Sequence, residues 1–386
     1  MGRDAEDIDQ LIAELHASTG APKGAAVGDT GRLDGWLRAL AGAGGSDLLL
    51  VAGAAPSIRV EGRVRPLGEG PLDGVEIEEA VLPALAPHAR RIYRQSQIAD
   101  GSYRLQGLGR FRINLHRERG RPAASIRSLP TEPPRLADLS LPPNVEALSR
   151  LPHGLVLVGG PTGSGKTTTV AALVDAINRR DAKHIVTIED PIEYEHAHQK
   201  SVVEHVEIGV DAPDFPTALR SVVRQSPDVI VVGEMRDPET MKIALAAGET
   251  GHLVFSTLHT SDVTSTVSRV SDAFPPERQP TIRTELSMAL AAVMTQILVP
   301  RAGEGRIPAV ELLMVGYGAR QHIRKNALQH LHQEITITRR DGSLTFEESL
   351  AQLVSRGLLA VEDARARAPH REELEGLLRA MNLVIG

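Results

Sequence analysis

The sequence contains no cysteine, few aromatic residues and no long apolar run. With no cysteine among its 386 residues, it excludes disulfides, cysteine nucleophiles and zinc sites built on thiolates. Aromatic residues make up 3% of the chain, which argues against a protein that stacks single-stranded bases. No stretch reaches the ~18 consecutive apolar residues that a membrane-spanning helix needs, and the acidic N-terminus is unlike a signal peptide. The sequence therefore predicts a cytoplasmic protein with no membrane span.

Composition and charge describe an ordinary globular chain. Hydrophobic residues account for 41% and charged residues for 24% of the chain, with a formal net charge of −6, and such a chain can bury a sizeable core. The length suggests two or three domains. Because the net charge is slightly negative, no overall field attracts nucleic acid, and none is expected as a partner.

The stretch 155–169 has the most specific motif. An apolar run leads into Gly-Gly-Pro-Thr-Gly-Ser-Gly-Lys-Thr-Thr-Thr, and apolar residues at helical spacing follow. In this strand–loop–helix context the glycines let backbone N–H groups turn toward phosphates, and the helix offers its positive end. A plain glycine turn is the alternative, and the flanking elements favour nucleotide binding. The predicted nucleotide contacts in the loop are Gly160, Thr162, Gly163, Ser164, Gly165, Lys166, Thr167 and Thr168.

Two side chains of this loop have predicted roles toward Mg-ATP. Lys166 is expected to reach the β- and γ-phosphates, and the Thr167 hydroxyl is expected to bind Mg²⁺. Three later apolar runs end in Glu189, Glu234 and His259. Strands that alternate with helices predict a mostly parallel sheet, and such sheets gather ligands at the carboxyl ends of their strands. We therefore expect these residues to converge on the loop.

The two strand-end carboxylates suit two different tasks. One can hold Mg²⁺, usually through water, and the other can orient or deprotonate the attacking water. Glu234 is the first choice for the water, and Glu189 supports the metal or shares that role. Helix capping and surface salt bridges are the ordinary explanations for such acids. For His259, and for His252 at the start of the same run, γ-phosphate sensing and strand-end packing are equally compatible with the chemistry.

The preceding part of the chain, residues 33–130, has the signals of an α+β domain. Its hairpin over 109–129 alternates cleanly, with apolar side chains on one face and arginines on the other. Arg112 and Arg127 share the polar face. A solvated sheet face is the usual interpretation. The concentration of arginine favours phosphate contacts, since an arginine supplied from outside a P-loop domain can stabilise the transition state.

The remaining cations and histidines are less specific. Arg220 and Arg224 lie four residues apart on one face of a predicted helix. The histidine pairs at 196/198 and 330/332 have neither cysteine nor a His-Glu-x-x-His pattern beside them. We interpret both pairs as solvated or locally hydrogen-bonded.

Four segments together resemble the type II/IV secretion ATPases, and specifically their type IV pilus twitching-motility branch. The resemblance covers about residues 33–357, and its boxes occur in the family's order. These are the Walker A box at 159–169, the Asp box Thr-Ile-Glu-Asp-Pro-Ile-Glu at 187–193, the Walker B segment at 224–237 and the His box at 250–260.

The resemblance implies an α/β protein with a PAS-like domain, a RecA-like P-loop ATPase domain and a ring of six copies. We predict an N-terminal extension over 1–28, a PAS-like domain over 29–133, a linker over 134–147, and a RecA-like domain with a C-terminal helical region over 148–386. It also implies that Arg112 and Arg127 reach the nucleotide when the N-terminal domain closes, and that Arg220 and Arg224 match the arginines before Walker B.

Three departures from the family pattern bear on whether the protein retracts or assembles pili, and not on catalysis. A Ser-Asp-Leu-His-Leu segment reads Ser-Asp-Leu-Leu-Leu at 46–50, the N-terminal extension is unusual, and the retraction helix keeps only part of its pattern at 318–324. A surface helix is predicted over 318–328, after a strand over 309–315. Its Arg320 and Arg324 are expected to face an acidic partner or a neighbouring subunit, with a solvated basic face as the alternative.

These observations predict a hexameric, Mg²⁺-dependent ATPase that powers pilus retraction at an inner-membrane platform protein, peripheral to the membrane on its cytoplasmic side. A pilus-assembly or type II secretion ATPase is the nearest alternative, although those relatives usually carry a longer N-terminal region and a four-cysteine zinc insert. More distant candidates are a RecA-fold DNA motor and a regulator that does not hydrolyse ATP.

Overall fold

Two sheets organise the residues that the computed structural model describes, 29–130 and 132–383. Each belongs to its own compact unit, one ending at Leu129 and the other beginning at Pro130. The predicted N-terminal extension, residues 1–28, lies outside the described residues. The other predicted domain limits, at 133/134 and 147/148, stay predictions.

The first unit is an antiparallel sheet covered by helices, the α+β domain that the sequence predicts. Its six strands follow the order β3-β2-β1-β6-β5-β4. The strands are Asp47–Val51 (β1), Ser57–Val60 (β2), Arg63–Pro66 (β3), Ala99–Leu105 (β4), Gly109–Glu118 (β5) and Arg121–Ser128 (β6). The helices are Gly31–Gly42 (α1), Gly74–Val81 (α2) and Pro87–Ser96 (α3).

Two hairpins of this sheet close through a pair of residues with positive φ. Glu61 and Gly62 have φ of 49° and 78°, and Arg119 and Gly120 have φ of 48° and 76°. Two-residue turns of this kind match the right-handed twist of the flanking strands. The predicted alternation of β5 is confirmed, because Phe111 and its two apolar followers at 113 and 115 are buried in the core of this unit.

The second unit is built on a mostly parallel seven-stranded sheet in the order β13-β12-β7-β11-β10-β8-β9. Among its described strand pairs, the β12–β13 pair alone is antiparallel. Its strands are Gly154–Gly159 (β7), His184–Glu189 (β8), Val202–Glu207 (β9), Val229–Val232 (β10), Leu253–Leu258 (β11), Leu290–Pro300 (β12) and Arg306–Met314 (β13). Strands β7, β10 and β11 are buried along their whole length, as expected for a parallel sheet covered on both faces.

Helices pack against both faces of this sheet and continue past its last strand. Those within and beside the sheet are Lys166–Arg180 (α4), Phe215–Val222 (α5), Pro238–Glu249 (α6), Val263–Asp272 (α7) and Gln279–Ala289 (α8). Those after β13 are Tyr317–Arg324 (α9), Leu331–Ile337 (α10), Phe346–Ser355 (α11), Val361–Arg367 (α12) and Arg371–Ala380 (α13). In the part of the chain that the structure describes, no helix combines the length and the apolar character needed to cross a bilayer.

The segment predicted as a linker, residues 134–147, overlaps two 3₁₀ helices, Leu136–Leu139 and Pro143–Arg150. Val145 is fully buried with residues of β7 and α4. The end of this segment therefore belongs to the core of the second unit.

Candidate active site at the carboxyl edge of the parallel sheet

The loop between β7 and α4 is shaped by its glycines. Gly160, Gly163 and Gly165 have φ of 151°, 75° and 86°, a region that side chains with a Cβ rarely adopt. A Cβ on Gly160 would collide with the Gln296 carbonyl oxygen. The Ser164 Oγ atom is buried and has no hydrogen-bond partner among the described residues. This tight loop, with a buried hydroxyl that has no hydrogen-bond partner among the described residues, suits an anion held by backbone N–H groups.

Lys166 begins helix α4 and is held inside the loop. It is 7% exposed, and its Nζ donates to the carbonyl oxygens of Gly160 at 2.9 Å and Pro161 at 3.0 Å. Burial lowers the pKa of the lysine, while the negative charges of Glu193 and Glu234 oppose that change. The two carboxylates therefore act on the same ammonium group, which lies at the centre of the site.

Glu189 and Thr167 line one small cavity of about 30 Å³ together with Gly233. Glu189 is the last residue of β8, and its side chain is 12% exposed. The Glu193 N–H lies 3.4 Å from its Oε2. A hydroxyl and a carboxylate at one cavity are oxygen donors of the type that Mg²⁺ prefers. The predicted metal-binding pair is therefore brought together.

Two histidines stand behind Glu189. The His205 ring accepts a hydrogen bond at Nε2 from the His196 backbone N–H, 3.0 Å away, so its proton is on Nδ1. That nitrogen lies 2.8 Å from Thr187 Oγ1 and 3.8 Å from Glu189 Oε1. Burial lowers the pKa of His196, whose ring stacks on His205, to about 4. The Glu189 carboxylate therefore lies beside His205, whose ring is held by hydrogen bonds, and His205 in turn stacks on a neutral His196.

Glu234 follows β10 at the same edge of the sheet. Its Oε1 forms an ion pair with Arg236 Nε at 2.7 Å, and its Oε2 lies 3.8 Å from His259 Nε2. His259 follows the neighbouring strand β11 and is half exposed. Because β8, β10, β11 and β7 are parallel neighbours, their carboxyl ends place Glu189, Glu234 and His259 beside the phosphate loop, as predicted.

The two remaining threonines of the loop differ in their surroundings. Thr162 is exposed. Thr168 is partly buried, and its Oγ1 lies 3.0 Å from the Tyr194 hydroxyl. Tyr194 thereby connects the start of α4 to the segment after β8.

Three other predicted nucleotide contacts belong to the second unit, and one of them, His252, lies at the opposite edge of the sheet. His252 precedes β11 at its amino end, where its carbonyl accepts from the Gly154 N–H. The length of β11 separates it from the phosphate loop by roughly 20 Å. Arg220 is exposed and pairs with Glu239, and Arg224 is exposed after the end of α5. The distance from the phosphate loop therefore argues against a nucleotide contact from His252 within the same chain.

The two arginines of the first unit lie on one sheet face, as the alternation predicts. Arg112 and Arg127 are directly opposite in the β5–β6 register. Arg127 Nε donates to Asp47 Oδ1 at 2.9 Å, and Arg112 Nη2 lies 3.8 Å from Asp100 Oδ1. Their side chains are 70% and 46% exposed. Both guanidinium groups are therefore presented to the surroundings of the first unit.

Sequence reasoning missed Gln296, which braces the phosphate loop from strand β12. Its Oε1 accepts from Thr169 Oγ1 at 2.8 Å, and its Nε2 donates to the Ser164 carbonyl at 2.7 Å. It is 2% exposed. The available signal was an amide inside an apolar strand run, since a buried polar side chain must find partners. Glu193, at the end of the Asp box, was also missed.

The interpretation of Arg320 as a partner-binding residue is corrected by its contacts. Its Nη1 donates to the carbonyls of Ser287 at 2.6 Å and Met288 at 2.7 Å, which end helix α8. Arg324 Nη2 reaches Ser287 Oγ at 3.3 Å. A cation at a helix C-terminus satisfies free carbonyls and the helix dipole. Arg320 therefore caps α8, and its helix α9 is shorter than predicted, ending at Arg324.

Comparisons with known proteins agree with this geometry. The model of the family described as "Type II/IV secretion system protein" matches residues 136–340. A twitching motility protein of Neisseria gonorrhoeae is 40% identical over 84% of this chain and 87% of its own length. The type IV pilus retraction ATPase PilT of Pseudomonas aeruginosa is 39% identical over 84% of this chain and 94% of its own.

A solved structure described as the pilus retraction motor PilT with bound ADP is also similar. It covers 88% of this chain and 98% of its own with 41% identity and a TM-score of 0.80. The predicted fold class, an α+β domain before a RecA-like core, is confirmed by this match. The chain is thus a member of the type II/IV secretion ATPase family, in the branch of the type IV pilus retraction ATPases.

Proposed function

We propose that this chain hydrolyses Mg-ATP at the carboxyl edge of its parallel sheet and uses the energy to retract type IV pili. The observation that carries the proposal is the convergence of Lys166 with Glu189 and Glu234 at one glycine loop. Each part alone has an ordinary structural explanation. Together they supply a phosphate cradle, a cation site and a carboxylate for water, which are the parts that phosphoryl transfer needs.

The residues divide the work by their positions. The backbone N–H groups of the loop and the Lys166 ammonium hold the phosphates, and Ser164 Oγ donates to a phosphate oxygen. Thr167 and Glu189 hold Mg²⁺, which neutralises charge on the phosphates when bound. Glu234 orients the attacking water or takes its proton, with His259 beside it as a sensor of the γ-phosphate. Assigning the water to Glu234 rests on its position just after β10, at the same edge of the sheet as the phosphate loop.

We propose that the exposed arginines of both units act on nucleotide within a homohexamer. Arg220 and Arg224 are exposed, so we propose that they act on a site completed by a neighbouring copy. Arg112 and Arg127 act on nucleotide through movements of the first unit. The geometry of this chain gives no support to a nucleotide contact from His252 within its own site.

The relatives are named for twitching motility and pilus retraction, and we extend that role to this chain. We propose that it works at the cytoplasmic side of the inner membrane, on the pilus platform protein, without nucleic acid as a partner. Turnover stimulated by DNA would contradict this last point and favour a DNA motor.

The experiment that tests the function compares a deletion strain with strains complemented by the wild type or by Lys166→Ala. The deletion and the Lys166→Ala strain should be piliated but unable to twitch, and the wild-type gene should restore movement. Cells without pili would identify an assembly motor. Wild-type twitching in the deletion strain would contradict a role in retraction.

A further inference from the structure

A group of metal-ligating side chains lies outside the phosphate loop, among the C-terminal helices. His332 belongs to α10, His370 is the residue before α13, and Glu373 lies in the first turn of α13. One ligand atom from each residue lies within 4.8 Å of those of the other two. The three residues therefore bring two imidazoles and a carboxylate from two separate helices to one point.

The contacts inside this group are short. His332 Nε2 lies 3.1 Å from Glu373 Oε2, and the two imidazole rings stack with centroids 4.2 Å apart. A local hydrogen bond explains the first contact. It does not explain why a second imidazole stacks on the first beside the same carboxylate. Two imidazole nitrogens and one carboxylate are a ligand set for a borderline divalent cation such as Zn²⁺.

Glu347 supplies an independent observation. This carboxylate is 1% exposed. Its Oε1 accepts the His370 backbone N–H at 2.8 Å and lies 3.3 Å from His370 Nδ1. Its Oε2 is buried and has no partner among the described residues. A carboxylate that holds one imidazole nitrogen fixes the tautomer and leaves the other nitrogen for a metal. His370 Nε2 is therefore the nitrogen available as a ligand.

The charges around the group favour a cation. The carboxylates of Glu347 and Glu373 both lie within hydrogen-bond reach of an imidazole of the group. Arg339 is a positive group beside Glu373, with Nη2 3.6 Å from Oε1, but its Nε makes the shorter contact of 2.6 Å with Glu348.

Hydrogen bonding also distinguishes the two oxygens of the Glu373 carboxylate. The Thr345 hydroxyl donates to Glu373 Oε1 at 3.1 Å. This contact and Arg339 occupy Oε1, so Oε2 remains directed to His332. One oxygen of Glu373 is thereby held in place while the other stays in the group.

We propose that His332, His370 and Glu373 bind one Zn²⁺ ion per chain and thereby tie α10 to α13. This set is called the C-terminal metal site below. His370 is 55% exposed, so water can complete a four-coordinate ion and the ion can reach the site from solvent. The tie fastens the last helices of the chain to the region after β13. For His332, this proposal replaces the interpretation of the 330/332 pair as solvated or locally hydrogen-bonded.

The test is calorimetric titration of the full chain, produced without a polyhistidine tag, with zinc sulfate in the presence of excess Mg²⁺. One saturable Zn²⁺ per chain is expected, with a rise in Tm on binding. Replacing both imidazole ligands, His332→Gln with His370→Gln, should remove this event. Glu347→Gln should weaken the Zn²⁺ affinity by about 10- to 100-fold, the usual effect of losing an outer carboxylate.

A second histidine pair provides the matched control. His322 and His330 have ring centroids 5.0 Å apart, and His322 Nε2 lies 3.4 Å from Glu334. This pair also has a carboxylate but does not belong to the three-ligand group. His322→Gln with His330→Gln should keep the wild-type Zn²⁺ affinity. Equal loss in both double variants would overturn the assignment, as would unchanged affinity in the His332/His370 variant.

Visible absorption of the wild-type chain with added Co²⁺ keeps the test independent of variant folding. Nitrogen-ligated Co²⁺ of low coordination number should absorb strongly, and added Zn²⁺ should abolish the band. A wild-type chain that shows no such band and binds Zn²⁺ only at millimolar concentrations would refute the site. Mg-ATP turnover of the variants reports separately on the phosphate loop, so failure of the metal site leaves the proposed function intact.

Discussion

The two sheets of this protein present their charged side chains in opposite ways. The antiparallel sheet carries Arg112 and Arg127 in the middle of an exposed face, with carboxylates beside them. The parallel sheet is covered on both faces and presents Lys166, Glu189 and Glu234 at one edge, where each is largely buried. An edge where several strands end can assemble a site within one chain. Side chains on an open sheet face can act only on a ligand or a protein group that is brought into contact with that face.

This difference separates two kinds of functional side chain. Those at the buried edge should be indispensable for chemistry because they act directly on phosphate, cation and water. Those on the open face should change the rate of ATP hydrolysis, because they contact the nucleotide only during turnover. Substitutions at the two places should therefore differ in the size of their effect and in the kinetic constant that changes.

The largest effect is expected at the centre of the buried edge. Lys166→Ala removes the ammonium group that holds the phosphates and should lower kcat by about 100- to 1000-fold, the scale for losing one preorganised electrostatic donor. Steady-state ATP hydrolysis by the purified chain measures it. Lys242→Ala, on an exposed position of α6, serves as the control and should retain activity. Near-normal turnover of Lys166→Ala would refute the central claim.

The next effect distinguishes the two carboxylates of the edge. Glu234→Gln keeps the size of the side chain but removes the base, so nucleotide binding should persist while kcat falls by roughly 100-fold. Measuring Kd for ATP and kcat for this variant and for Glu189→Gln compares the two roles. Greater damage to kcat in Glu189→Gln than in Glu234→Gln would reverse the assignment.

The partly buried Arg320 of α9 tests whether a cation predicted to bind a partner instead stabilises the fold. Arg320→Ala removes two short hydrogen bonds from a charged group to the last carbonyls of α8. The free energy of unfolding should fall by about 2 kcal/mol, since hydrogen bonds to charged groups contribute roughly 1.5–3 kcal/mol. Urea denaturation measures it, and Arg320→Lys should recover part of the loss. Unchanged stability with lost pilus retraction would restore a partner-binding role.

The contacts of Arg320 are an example of what the sequence could not predict. The phosphate loop and the strand-end residues Glu189, Glu234 and His259 were predictable because their signals are local: a short motif, or an acid after an apolar run. Gln296 and Arg320 act on segments far away in the chain, and nothing near them in sequence names their partner. The C-terminal metal site joins helices 38 positions apart, from His332 to His370, and no spacing rule for metal ligands covers that distance.

A smaller effect is expected on the open sheet face. Arg112→Ala and Arg127→Ala should each lower kcat by about tenfold while Kd for ATP stays nearly constant, because contacts made in the transition state affect chemistry more than binding. Arg65→Ala, on the exposed edge strand β3, should change neither constant. A matched loss of unfolding free energy and activity would instead assign the two arginines to the structure of the sheet.

The smallest effect concerns His196 behind the buried edge, and it changes stability with pH. Burial lowers the pKa of this ring to about 4 from the ordinary value of 6.5, and its Nδ1 has no partner among the described residues. Between these two pH values the unfolded chain binds a proton that the folded chain refuses, so the free energy of unfolding falls as the pH decreases through this window.

The loss from His196 should reach about 1 kcal/mol between pH 7 and pH 5.5. Urea denaturation of the nucleotide-free chain in EDTA measures it, and EDTA removes any contribution from bound cations. His196→Gln does not titrate, so its stability should fall less steeply over the same interval. His153→Gln, at an exposed position, should keep the wild-type slope. If the unfolding free energy of His196→Gln and of the wild type changes equally with pH, the ring is already charged in the folded chain. The neutral state assigned to His196 beside Glu189 and His205 would then be wrong.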